Sequence, residues 1–171
     1  MYPKRCPFCQ GISSKGICDD CRKQVVKVGK IKCIHCGKPL EDETKEYCRD
    51  CERRKSNYEQ GRSLWVHIPP VSNSVYRLKY HNKRYYAEIF GKELADEFEF
   101  QIRRWGIQAI IPIPLHRSKM RKRGYNQAEL IAEALGKTLC IPVDSRLMKR
   151  KVNTRPVSYT HLRAHETLRH L

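Results

Sequence analysis

The clearest periodicity lies in the second half of the chain. From Asn82, which suits a helix N-cap, apolar side chains recur at Ala87, Phe90, Leu94, Phe98, Ile102 and Trp105. Gaps of three or four place them on one face of a helix, and Gly106 ends it. The apolar run after it, Ile107 to Pro114, predicts a strand buried on both faces. Asn126 to Lys137 then predicts a helix with Ile131, Ala134 and Leu135 on one face and Gly136 near its end. Upstream, Ser63 to Ile68 predicts a short strand stopped by Pro69 and Pro70, and Val75 to Tyr80 a short amphipathic helix. Strands alternating with helices predict the opening of an α/β domain with a parallel sheet, over residues 61–156.

The first 60 residues follow a different rule. They are poor in contiguous apolar runs from which a core could be made, and eight of the nine cysteines fall before position 52. Cys6, Cys9, Cys18 and Cys21 read Cys-x2-Cys-x8-Cys-x2-Cys, and Cys33, Cys36, Cys48 and Cys51 repeat it with a spacer of 11. Two residues between thiolates let one tight turn present both sulfurs to one ion, and two facing turns complete a tetrahedron. Gly37, just after Cys36, fits a knuckle that needs positive φ, and Pro39 closes the turn; Gly11 and Pro7 serve the first knuckle less regularly. A double zinc ribbon with two zinc ions is expected, each site structural because the protein fills every ligand position. Sequential pairing of the ligands follows from the short loops, with an interleaved pairing left open. Disulfides, a redox pair and an iron–sulfur cluster are the competing readings, but redox Cys-x2-Cys motifs occur singly, at the start of a helix after a strand. His35 reads as a bystander and Cys140 as a small buried residue. A polar run from Glu52 to Gly61 separates the modules from the α/β segment, with the boundary near residue 60.

Met1 to Cys6 leads into the cysteine motif without the apolar segment of a secretory signal. No run approaches the roughly 20 apolar residues of a membrane-spanning helix. A cytoplasmic protein with no membrane insertion is expected, in a reducing compartment where paired cysteines are more often metal ligands than disulfides.

Charge narrows the partners. The formal net charge is +17, from 35 Lys and Arg against 18 Asp and Glu, and two four-thiolate zinc sites at minus 2 each lower it only to about +13. Such an excess favours a polyanion. From Arg117 to Arg155 eleven Lys and Arg stand against three acids, a net of +8. This loop comes after the predicted buried strand, where α/β sheets place ligands. Guanidinium groups there suit phosphate or pyrophosphate, and Gly124 permits close backbone approach. Tyr80, Tyr85, Tyr86 and Tyr125 add aromatic rings that suit stacking on a single strand.

These segments also carry a family likeness. Ile111-Pro-Ile-Pro-Leu-His116 followed by Arg123-Gly-Tyr-Asn-Gln-Ala128, preceded by Leu78-Lys79-Tyr80 and by the paired knuckles, resembles the ComF family of bacterial phosphoribosyltransferase-like proteins, associated with DNA uptake in natural competence. Asn153-Thr154-Arg155-Pro156 is similar to the family's next segment, so the resemblance covers about residues 3 to 156. It implies a partial type I phosphoribosyltransferase-like domain, with Arg117, Lys119, Arg121, Arg123, Gly124, Asn126 and Gln127 facing pyrophosphate. It also implies single-stranded DNA as a partner, a helicase or other competence protein as another, and phosphoribosyl diphosphate with Mg as ligands of a full-length parent. The strand ending in two acids that holds the phosphoribosyl group in such proteins is missing, since Asp19-Asp20 lies inside a zinc module, so this chain is expected to be inactive as a transferase. The alternative is an active phosphoribosyltransferase whose ribbons serve stability or partner docking. Val157 to Leu171 departs from the family's pattern and resembles translated adapter sequence, so it is set aside as a foreign tail; His161 and His165, four apart, are the competing metal motif.

Overall fold

The computed structural model of the protein describes residues 4–53 and 57–153. The two cysteine modules are built alike. In the first, Cys6 N–H donates to Gly11 O (2.8 Å), Gln10 N–H donates to Cys6 O (2.9 Å), and Arg5 bridges Ile12 in antiparallel fashion. In the second, Cys33 N–H donates to Lys38 O, Gly37 N–H donates to Cys33 O, and Lys32 bridges Pro39. The far knuckle of each continues into a short helix, α1 (Asp19–Gln24) and α2 (Arg49–Arg53). Gly37 has the positive φ (+74°) expected of it, whereas the first module puts Gln10 into the same conformation (φ 67°).

The modules are attached differently. The first shares an apolar cluster with the rest of the chain: Cys6, Phe8, Ile17 and Cys21 pack with Val71, Leu78, Tyr86, Ala87, Phe90 and Tyr125. The Phe8 ring meets Trp65 edge-on at 5.5 Å and lies stacked 6.3 Å from Phe90. A module this small cannot bury enough apolar surface by itself, and here a long helix supplies what it lacks. Polar contacts ring the cluster: Arg22 holds Glu93 through two hydrogen bonds (2.6 and 2.9 Å), Lys27 pairs with Glu97, and Arg77 donates to Phe8 O at 3.1 Å. The second module is clasped by the segment after it. His35 stacks on Tyr58 at 4.4 Å and receives Gly61 N–H at its carbonyl, while Gln60 donates to Ile34 O. A Cβ on Gly37 would lie 2.9 Å from Arg62 Cα, and one on Gly61 2.9 Å from Cys36 O, so two glycines let the chain cross the knuckle.

Beyond the modules come α3 (Val71–Tyr80), α4 (Tyr86–Arg104), α5 (Arg117–Arg123) and α6 (Gln127–Leu139). Asn82 does not cap α4; it takes φ 52° in the turn before it, its side chain accepting from Arg84 Nε. The expected α4 face is buried at Ala87 and Phe90, half-buried at Leu94, Phe98 and Ile102, and exposed at Trp105, so burial fades along the helix as it leaves the first module. Asn126, the first residue of the predicted helix, caps α6, its side chain accepting from Ala128 N–H. α6 crosses α4 at Gly91, where an added Cβ would lie 2.5 Å from Ala134 Cβ and 2.9 Å from Ile131 O. Cys140 is exposed rather than buried, because it ends α6 in the left-handed conformation (φ 58°) and turns away from the core.

The parallel sheet expected for residues 61–156 does not form among the described residues. Ile107 to Pro114 makes one parallel bridge, Ile110 with Val143, and Ile113 is 68% exposed. Ser63 to Ile68 supplies no second strand, because it pairs with the first module: Val28 N–H donates to Leu64 O and Val66 N–H to Val26 O. An apolar run is buried on both faces only when other strands flank it, and here its expected neighbour is used elsewhere. No helix among the described residues is long and apolar enough to cross a membrane.

Close packing at the α4–α6 crossing can be tested by substitution. Gly91→Ala should lower stability by about 1–3 kcal/mol, the usual effect of overpacking, measured by urea unfolding. An unchanged midpoint would show that the helices can part without loss.

Candidate metal centres and basic surface

Within each module four sulfurs converge. The Sγ atoms of Cys6, Cys9, Cys18 and Cys21 all lie within 4.8 Å of one another, as do those of Cys33, Cys36, Cys48 and Cys51. Ligand pairing is therefore sequential. Cys9 and Cys18 sulfurs are 3.7 Å apart, and so are those of Cys36 and Cys48, against about 3.8 Å for the edge of a tetrahedron with Zn–S bonds of about 2.3 Å. All nine cysteines are free of disulfides. The donor set thus fits two zinc ions.

The electrostatics of the thiols point the same way. Burial opposes ionisation of Cys6, yet backbone N–H groups at Cys18, Cys9 and Phe8 outweigh it and bring the thiol down to about 7. Cys33 is brought to about 6 against the same penalty by amides at Cys36, Cys48 and His35. Cys21 and Cys51, last in each set, are pushed upward by burial and by the three neighbouring thiols. Amides favour the first thiolate of each set and crowding disfavours the last, so four thiolates require a cation between them. His35 contributes no ligand; its Nδ1 lies 3.1 Å from Glu59 O.

The basic segment after Pro114 is a helix rather than the expected loop. His116 caps α5, its Nδ1 accepting from Ser118 N–H, and α5 buries no residue. Arg117 and Arg121 stand exposed one turn apart, and Lys119 is half-buried. Arg123 points back, hydrogen-bonded to Gln127 Oε1 and set over the Tyr80 ring at 5.2 Å. Gly124 ends the helix at φ 80°, and Asn126 is buried, donating to Ile113 O at 3.1 Å. The structure therefore joins Arg123, Gly124, Asn126 and Gln127 into one turn at the end of the Ile107–Pro114 segment, with Arg117, Lys119 and Arg121 on the helix leading into it. Asn153 reaches this helix and donates to Ser118 Oγ. Thr154 to Pro156, the tail from Val157, and His161 and His165 lie outside the described residues.

The four tyrosines divide. Tyr86 and Tyr125 belong to the core, Tyr125 donating to Leu78 O, and neither ring can meet a ligand. Tyr80 and Tyr85 are exposed. Sequence reasoning missed Tyr76, Tyr80 and His81 as a set, although an i, i+4 aromatic pair on a short helix was a readable sign. It also missed a cleft of about 680 Å³ beneath the first module, lined both by cations (Lys4, Lys83 and Lys92 among them) and by the acids Glu88, Glu93 and Asp96.

Known proteins are similar to this chain in sequence over most of its length. The double zinc ribbon domain family matches residues 1–52. The chain is 29% identical over 156 residues to Competence protein F of Haemophilus influenzae, covering 88% of this chain and 67% of that protein. It is 27% identical over 125 residues to Competence protein ComFC of Bacillus subtilis, covering 70% and 51% respectively. DNA utilization protein YhgH of Escherichia coli is 25% identical over 154 residues, covering 86% and 67%. The matched region thus spans between half and two thirds of these relatives. No solved structure gives a significant match.

Purified protein should contain close to two zinc ions per chain by elemental analysis; one or none, with all thiols titratable, would contradict the assignment. Cys33→Ser with Cys36→Ser should lower the count to one and leave the first module and α3–α4 folded, since the apolar cluster draws on the first module alone.

Proposed function

Because the chain belongs to the ComF family of double-zinc-ribbon proteins, we propose that it serves DNA uptake or utilisation by binding single-stranded DNA. Helix α5 carries the reading. Its seven residues include five cations and no acid, and none of them is buried. A helix that contributes nothing to the core and holds Arg117, Arg121 and Lys122 without ion-pair partners among the described residues suits contact with phosphates. The names of the relatives, competence and DNA utilization proteins, point to the same class of substrate. The zinc modules fix the scaffold, and the exposed second module offers a surface for a protein partner such as a helicase.

A second reading draws on the parallel bridge between Ile110 and Val143, which has the strand direction that a phosphoribosyltransferase-type sheet uses. Under it, residues 61–156 form part of such a domain. Arg117, Lys119, Arg121, Arg123, Gly124, Asn126 and Gln127 would then grip a pyrophosphate, with phosphoribosyl diphosphate and Mg as ligands. Calorimetry with phosphoribosyl diphosphate and Mg tests it, and the absence of any heat of binding would remove it.

The primary reading predicts that fluorescence anisotropy with a labelled oligo(dT) will show binding that weakens as salt rises, because phosphate contacts release counterions. Arg117→Glu, Arg121→Glu and Lys122→Glu together should weaken it by roughly tenfold or more. Affinity indifferent to both salt and these substitutions would contradict the reading.

A further inference from the structure

Two long stretches of the chain contain no acidic residue, 60–87 and 100–128. Folding brings them together. Tyr125 of the second donates to Leu78 O of the first, and the Arg123 guanidinium lies 5.2 Å from the centre of the Tyr80 ring. Burial, with the Arg123 charge adding to it, holds the Lys79 ammonium below its ordinary range, as expected where cations gather without carboxylates.

Aromatic rings stand outward on this face. Tyr76 and Tyr80 are 56% and 58% exposed and lie 4.7 Å apart, and His81 is 5.5 Å from Tyr76. The core does not need them, because α3 buries Val71, Ser74 and Leu78 instead. Beside the rings runs a shallow groove of about 360 Å³ lined by Gln10, Asn73, Tyr76, Arg77, His81 and Lys83, again without an acid. Lys83 also lines the larger cleft beneath the first module, where α4 contributes Glu88, Glu93 and Asp96, so the acid-free surface ends at this lysine.

We propose that this end of α3 is a base-stacking site for single-stranded DNA: Tyr76 and Tyr80 receive unpaired bases, and Lys83, Arg77 and Arg123 meet the adjoining phosphates. The inference rests on the nucleic-acid reading above and adds a site to it, distinct from the exposed cations of α5. Rings next to cations bind single strands because every unpaired base offers a π-face, whereas the bases of a duplex are already stacked on one another. Charge selects the occupant, since a groove lined by Arg77 and Lys83 and by no carboxylate matches a polyanion.

The test uses the zinc-loaded chain with a labelled oligo(dT) of about 20 nucleotides, long enough for one such site, and a duplex of equal length as a second probe. Tyr76→Ala with Tyr80→Ala should weaken oligo(dT) binding roughly tenfold or more and leave duplex binding unchanged. Tyr76→Phe with Tyr80→Phe should bind like the parent, because the rings remain, and Lys83→Gln should weaken binding and flatten its salt dependence. Both tyrosines are exposed, and circular dichroism verifies that the variants fold. If the double alanine variant binds oligo(dT) as tightly as the parent, the α3 site is wrong while the α5 reading stands. Equal loss on single strand and duplex, or loss in the phenylalanine variant, would overturn stacking. If the parent chain binds no oligo(dT) even at low salt, the nucleic-acid reading falls and this inference with it; binding of an acidic protein at the face, with none of DNA, would do the same.

Discussion

The convergence of four sulfurs in the first module, with Phe8 carried between them, is the constraint on which the rest depends. Cys6, Pro7 and Phe8 are all buried, so the loop that binds metal also delivers the ring that packs against both Trp65 and Phe90. Metal binding at such a closed site is largely folding free energy. Here that free energy is spent on a surface that α3 and α4 need as much as the module does. Arg22 and Lys27 then set the angle of approach by pairing with Glu93 and Glu97, one helical turn apart on α4.

The second module repeats the chemistry without that consequence. Its knuckle is crossed by residues 60–63, through close approach at Gly37 and Gly61, and His35 stacks on Tyr58. None of its residues enters the shared apolar cluster. One module therefore acts as part of the core and the other as an appendage. The division near residue 60 separates kinds of chemistry more than it separates packing, because the first module lies across it. With the core closed in this way, the cations of α5 and the rings of α3 are left on the outside, where the proposed contacts with DNA require them.

What can be read from the sequence depends on how local each signal is. The ligand sets are legible because a Cys-x2-Cys knuckle is a property of four consecutive residues, and Gly37 because its conformation is set within its own turn. The α4 and α6 periods are legible for the same reason. Signals that depend on a distant partner are not. Ile107 to Pro114 carries the composition of a buried strand, but composition cannot say that Ser63 to Ile68 pairs with residues 26–28 instead. Tyr86 and Tyr125 share the chemistry of Tyr80, and only the packing of Phe8 and Leu78 shows which rings are enclosed. Gly124 suggests a loop for the candidate phosphate residues, but the unbroken run Arg117–Arg123 forms a helix and Gly124 ends it.

If metal in the first module holds α3 and the start of α4 in place, removing it must loosen all three together. Hydrogen exchange of the zinc-loaded chain, repeated after a chelator has stripped the metal, reads this directly. Amides of residues 71–80 and 86–95 should lose protection together with those of the first module, while the later turns of α4 lose less. Should the first module open while those helices keep their protection, the apolar cluster would stand without zinc, contradicting the dependence described here.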